Sequence, residues 1–316
     1  MDPNELQAKA VSLSLHFVEA RSDPTTSSTS LISQMRHRLR LLSFWDVHPG
    51  SRVLEIGCGQ GDTTIVLADA VGESGHVDAI DPGSLSYGSP FNLGQAQQHI
   101  KDSPVGPQIT FHTPMDPITY LNSYTGPPYD YVVLSHCIYY FSTPSHLPTL
   151  LTHLLPHTTS LLLSEWSLTP SSLHLSPSFP HILAALLLTH LESLRRVESR
   201  GNIRTVLSPS QIKNAVAATG GGEGGMGLRL VREKLVEPDE GLRDGYWEVR
   251  DLLGEGRRER ELRGVFGEEG DEGRGRRKER VVAEAMFDAL QNATEVVGGV
   301  EGVKCMCVWA AVFALK

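Results

Sequence analysis

Five residues of this 316-residue chain are spaced to act on one ligand: Glu55, Gly57, Gly59, Gly61 and, about twenty positions further on, Asp81. The first four lie in Val53-Leu54-Glu55-Ile56-Gly57-Cys58-Gly59-Gln60-Gly61-Asp62. An apolar run reads as a strand, the glycines as a sharp turn, and Thr63 to Val71 as a helix. Glycines let the backbone approach a ligand where a Cβ would collide, and the first amides of the helix face a polar group. A dinucleotide loop places its third glycine one position later, where Asp62 stands. A carboxylate at Glu55 favours a cationic ligand and repels a pyrophosphate. No Gly-Lys-Ser/Thr follows, which excludes a P-loop. Asp81 closes a second strand pattern, His76 to Asp81, at the distance of one helix plus one strand. A carboxylate there can accept both hydroxyls of a ribose. The alternative for Asp81 is a turn residue before Pro82.

Residues 55–61 match E/D-x-G-x-G-x-G in full, and on that motif the chain resembles the class I S-adenosylmethionine-dependent methyltransferases. The resemblance covers about residues 45–236 and the terminal strand. It implies S-adenosylmethionine as cofactor, held by Glu55, Gly57, Cys58, Gly59, Gly61, Asp81, Pro82, Asp116 and Ser135. Asp116 falls where the family contacts adenine, one residue further from Phe111 than is common, and it also suits a helix start before Pro117. Asp130 to Tyr140 resembles the fourth strand and the loop that faces the acceptor. His136 in that loop is the candidate general base, with cofactor contact or packing as alternatives. Tyr139, Tyr140 and Trp166 are candidate pocket walls, and Glu165 a candidate to orient an acceptor. Pro127-Pro128-Tyr129 precedes that strand, whereas the signature of nucleic-acid amino methyltransferases follows it, so it reads as a turn.

The elements that must position these residues read as α/β: a Rossmann-like three-layer sandwich around seven strands, mostly parallel with an antiparallel last strand, plus helical lid additions. Residues 1–48 read as a helical cap, with helices at 4–20 and 31–45 and a loop between. Residues 49–169 read as the cofactor-binding core, 170–207 as a lid insertion carrying a helix from His181 to Val197, and 208–316 as the rest of the core with a charged insertion at about 237–300. Within that insertion, Glu255 to Arg280 mixes both signs of charge with glycines and reads as a solvated, partly disordered loop. A glycine-rich stretch from Gly220 to Gly227 closes the helix before the sixth strand.

Hydrophobic content of 40% supports a sizeable core, and a net charge of −9 offers no basic field for nucleic acid. Four scattered cysteines suit neither a disulfide framework nor a zinc site, and the histidines between His146 and His190 lack metal-ligand spacing. The N-terminal residues do not resemble a secretion signal, and the run Ile182 to Leu188 is far short of the roughly 20 residues that span a bilayer. The expectation is a cytoplasmic methyltransferase acting on an O, N or S nucleophile of a small molecule, without metal, nucleic acid or membrane. The alternatives are a protein methyltransferase and a non-transferring cofactor-binding protein of the same fold.

Overall fold

The computed structural model describes residues 2–21, 27–197, 199, 201–220, 227–267 and 274–316. Seven strands form one sheet in the order β3-β2-β1-β4-β5-β7-β6: β1 Arg52–Ile56, β2 His76–Ile80, β3 Ile109–His112, β4 Tyr129–Ser135, β5 Thr158–Trp166, β6 Leu228–Val236 and β7 Val308–Leu315. Strands β1 to β5 pair in parallel, and β7 runs antiparallel to both β5 and β6. The strand order reverses between β1 and β4, which opens a crevice at their carboxyl ends, the usual place for a ligand in such sheets. β6 forms the edge, where Arg229, Arg232, Glu233 and Lys234 make it a poor template for another strand.

Side chains alternate along each strand, so the sheet has two cores. Val53, Val77, Ala79, Val133, Leu162 and Ala310 pack on one face, beneath α2 (Ser27–Trp45) and α3 (Asp62–Val71). Leu54, Ile56, Ile80, Val132, Leu134 and Leu163 pack on the other, against α5 (Pro117–Ser123), α6 (His146–Leu154) and α8 (Pro209–Ala218). The remaining core helix is α4 (Leu93–Lys101), with Asn92 and Gln95 as a reciprocal cap.

Helices differ from the sequence expectations in three places. The first, α1, spans Pro3–Ser14, because the Ser14 hydroxyl turns back onto the Val11 carbonyl at 2.8 Å and the chain continues as a 3₁₀ turn over Val18–Arg21. The long lid helix, α7, covers Leu175–Leu194, starting before Pro180 rather than after it. The charged insertion is largely helical: α9 Asp244–Leu252, α10 Arg257–Phe266 and α11 Arg274–Val296. Leu262, Val265 and Phe266 line one side of α10, while Ala283, Phe287 and Leu290 recur at helical spacing on α11. Together with Leu187 and Leu191 of α7 and Val249 of α9 they form a third core. The disordered-loop expectation is therefore corrected, except at 268–273, which lie outside the described residues, as do 221–226 of the glycine-rich stretch. Among the described residues no helix is long and apolar enough to cross a membrane.

Candidate active site

The glycine turn is held from below and open above. Gly57 and Cys58 amides donate to the Ile80 carbonyl at 2.8 and 3.0 Å, which ties the turn to the end of β2. A Cβ at Gly57 would stand 2.5 Å from the Cβ of Cys137, so glycine here lets the loop after β4 press against the turn. A Cβ at Gly59 would meet nothing within 4 Å, and its φ is +53°. That is a backbone left bare toward open space, as a bound molecule requires. No side chain caps the first turn of α3, so its leading amides also face this space.

Asp81 sits at the rim. Its Oδ2 accepts from the Gly59 amide at 2.8 Å, which ties it to the turn, and its Oδ1 from the Gly83 amide of its own loop at 2.7 Å, so both oxygens are held in place. Each keeps a further lone pair for a hydroxyl. Pro82 is exposed beside it. Glu55 lies under the turn, 2% exposed, accepting from the Thr64 hydroxyl at 2.5 Å. Burial pushes its carboxyl up to about 8, opposed by the Thr64 hydrogen bond and assisted by Asp62. A cation over the turn would favour the ionised form.

The loop after β4 is clamped by Glu165, at the end of β5. Glu165 accepts from the amides of Ile138 (2.9 Å), Tyr139 (3.3 Å) and Trp166 (2.9 Å). Both its oxygens are used on backbone, which differs from the acceptor-orienting role expected for it. The clamp fixes His136 at φ +52°, a backbone region costly for a non-glycine residue, and its amide donates to the Ser164 carbonyl at 2.8 Å. Glu165 Oε1 stays 3.8 Å from His136 Nδ1, beyond hydrogen-bond reach.

Helix α2 closes the crevice from above. The Arg38 guanidinium pairs with Asp62, the first residue of α3, with Nε to Oδ2 at 2.7 Å. The neighbouring His37 is fully buried, its ring centre 5.8 Å from that of His136. His136 in turn lies 4.7 Å from the Trp166 ring, and Trp166 lies 4.8 Å from His181. The Met306 amide donates to His181 Nδ1 at 3.1 Å, and Nε2 of the same ring lies 3.2 Å from Glu248. Both ring nitrogens of His37 and both of His136 have no hydrogen-bond partner among the described residues. Burial, then the charge of Arg38, holds both rings well below the ordinary histidine range, so both are neutral at pH 7. Leaving a buried polar atom unpaired costs about 1–3 kcal/mol. Four such atoms lie together where α2 meets the loop after β4.

A family model described as a methyltransferase domain matches residues 29–220, well over half of the chain. The chain belongs to the class I S-adenosylmethionine-dependent methyltransferases. S-adenosylmethionine is its cofactor. The chain is 26% identical over 233 residues to methyltransferase phomM of Diaporthe leptostromiformis, covering 63% of this chain and 58% of that protein. It thus spans little more than half the length of that relative. It is 44% identical over 66 residues, 20% of its length, to the demethylmenaquinone methyltransferase of Bacillus cereus, covering 28% of that protein. A solved cyclopropane-fatty-acyl-phospholipid synthase-like protein from Lactobacillus casei superposes with a TM-score of 0.73 at 26% identity, covering 98% of this chain and 99% of that one.

In this methyltransferase the other expected residues fall near the crevice with varied exposure. The Asp116 Oδ1 caps α5, accepting from the Thr119 amide at 2.7 Å. Met115 is tied to the Asp81 carbonyl through its amide at 2.9 Å. The Ser135 hydroxyl is buried, 2.9 Å from that of Ser164 and 3.3 Å from that of Thr63. The Cys58 side chain turns into the core beside Gln97, so only its backbone faces the turn. Burial keeps the Cys58 and Cys137 thiols protonated, which removes both as thiolate nucleophiles. Tyr139 is buried, with its hydroxyl donating to the Trp166 carbonyl at 2.8 Å, while Tyr140 is about half exposed. Tyr129 opens β4, at the far end of the sheet from the crevice. Among the described residues no group of three His, Cys, Asp or Glu could hold a metal ion. Sequence reasoning did not single out His37, Arg38 or the Asp62 pairing. His37 sits between Arg36 and Arg38 in the cap helix, so the local sequence reads as a basic, solvated face and gives no signal for it.

Proposed function

We propose that this methyltransferase alkylates an O, N or S nucleophile of a small molecule held beneath α2, in the cytoplasm. The observation that carries the reading is the contact between the two loops. The glycine turn and the loop bearing His136 meet at Gly57 and Cys137, which places a histidine with bare nitrogens beside the cofactor crevice. The cofactor supplies an electrophilic methyl group on a sulfonium. Asp81 would accept from its ribose, Asp116 and Met115 would meet its adenine, and Pro82 and Ser135 would flank it. The backbone of Gly57, Cys58, Gly59 and Gly61 would line its amino-acid part, with the Glu55 carboxylate balancing the cationic charge from below. The chain's remaining work is orientation and exclusion of water by α2, together worth several kcal/mol of barrier. His136 would accept the proton of an acceptor that arrives protonated. Burial of the two histidines under a helix supports a small acceptor over a protein segment, and four buried free cysteines support a reducing compartment.

The test is transfer of tritium from methyl-labelled S-adenosylmethionine to small nucleophiles and to basic peptides. Labelled small molecules, with turnover cut about a hundredfold in His136→Ala at unchanged cofactor affinity, are expected. Labelled peptides alone, or cofactor binding with transfer to nothing, would overturn the reading.

A further inference from the structure

We propose that His37 and His136 form a two-imidazole grip for a neutral hydroxyl group, and that the acceptor is therefore an alcohol or phenol. The proposal rests on the reading of the crevice as a methyl-transfer site and adds the nucleophile and a second residue to it.

The two ring centres lie 5.8 Å apart with their planes tilted by 54°, one on α2 and one in the loop after β4, and none of their four nitrogens has a partner among the described residues. A neutral imidazole presents one N–H and one bare nitrogen. Each ring can turn one nitrogen toward a point between them, so the pair can offer one donor and one acceptor there. A hydroxyl matches this set: its proton goes to one bare nitrogen, while a lone pair accepts the other ring's N–H. A neutral amine has a single lone pair, which it must keep for the methyl carbon and cannot also share with an imidazole N–H, and an ammonium has none and is repelled by Arg38 nearby. A carboxylate carries no proton for a bare nitrogen and would bring a net charge between two neutral buried rings, which is costly. A thiol donates and accepts too weakly to satisfy buried imidazoles. Trp166 on the far side of His136 supplies an apolar wall, and Glu165 cannot compete for the ring because backbone amides occupy it.

The grip also conserves charge in the enclosed space. The acceptor oxygen forms its bond to the methyl carbon as the carbon–sulfur bond breaks, with that electron pair staying on sulfur. The hydroxyl proton passes to the bare nitrogen of one imidazole. One positive charge enters the step on sulfur and one leaves it on the ring. No net charge is created or destroyed beneath α2.

The rings can be observed directly by 15N resonances of the histidine side chains in the protein loaded with S-adenosylhomocysteine. Phenol serves as the hydroxyl probe, with aniline, thiophenol and benzoate as comparators. Phenol is expected to shift the resonances of both His37 and His136, and the comparators to shift them far less. In His37→Leu the response of His136 to phenol should weaken at least fivefold. The same variant should melt about 2–4 °C higher than wild type, because it removes two unpaired buried nitrogens. If S-adenosylhomocysteine is bound and phenol leaves both rings unchanged, or if aniline or benzoate moves them instead, the grip is wrong while the methyltransferase site stands. A lower melting temperature for His37→Leu with an unchanged phenol response at His136 would reduce His37 to packing. Failure to bind S-adenosylhomocysteine at all would instead remove the site on which the proposal rests.

Discussion

Glu55 shows how burial under the glycine turn can make a carboxyl a proton store. Its carboxyl, pushed up to about 8 under the glycine turn, holds a proton at pH 7 until a cation arrives above it. Cofactor binding should therefore release up to about one proton near pH 7, and affinity should rise with pH until about 8. Calorimetry in buffers of different ionisation enthalpy measures this directly, and Glu55→Gln should abolish the release. The same shift sets a sign for stability. Glu55, and Glu165 at about 7, hold protons in the folded state that the unfolded chain loses near 4.5. Their contribution is fully present below about 4.5 and is lost as pH rises through 7 and 8, so the cofactor-free protein should melt lower at pH 9 than at pH 6.

At the scale of elements, the active-site geometry depends on two ties, one within the sheet and one onto the cap. Glu165 joins the end of β5 to the loop that carries His136 through the amides of Ile138 and Tyr139, and also accepts from the Trp166 amide of its own strand. Glu165→Ala strands those amides and should cost about 3 kcal/mol of stability along with most activity, whereas Glu165→Gln keeps one acceptor and should cost about 1 kcal/mol. Urea unfolding and turnover together check both. Arg38 ties α2 to the start of α3 through Asp62. Arg38→Met should speed hydrogen exchange of α2 amides and lower turnover while leaving the sheet unaffected. The strands were legible in the sequence to within two residues, because alternating apolar runs and glycine turns carry a strong period. The cap contacts were not, since neither His37 nor Arg38 shows from its neighbours which surface α2 will cover. Glu165 was legible as a strand-tip carboxylate, but its use on backbone amides is decided by a loop folded only in three dimensions. The insertion at 255–280 misled for a different reason. Averaged charge hides a helical stripe, and Leu262, Val265 and Phe266 are few among many charged residues.

Over the whole molecule, three cores meet around one crevice. The two faces of the sheet set the cofactor turn and the β4 loop, while α7, α9, α10 and α11 share the third core. α9 and α7 also bring Glu248 and His181 to the end of the row of rings, so the helical addition helps to close the site as well as stabilising itself. Phe287 is 1% exposed at the centre of that core, and Phe287→Ala should cost about 3–5 kcal/mol. If the addition unfolds separately from the sheet, the loss will show as an early transition in thermal denaturation with cofactor affinity weakened ahead of global unfolding. Titration calorimetry tests most directly whether the crevice takes S-adenosylmethionine through the glycine turn and Asp81. If it does, Kd values near micromolar, about −8 kcal/mol, are expected for S-adenosylmethionine and S-adenosylhomocysteine, at least tenfold weaker in a normally folded Asp81→Ala protein. No heat from either ligand, or tighter binding of NADH, would contradict it.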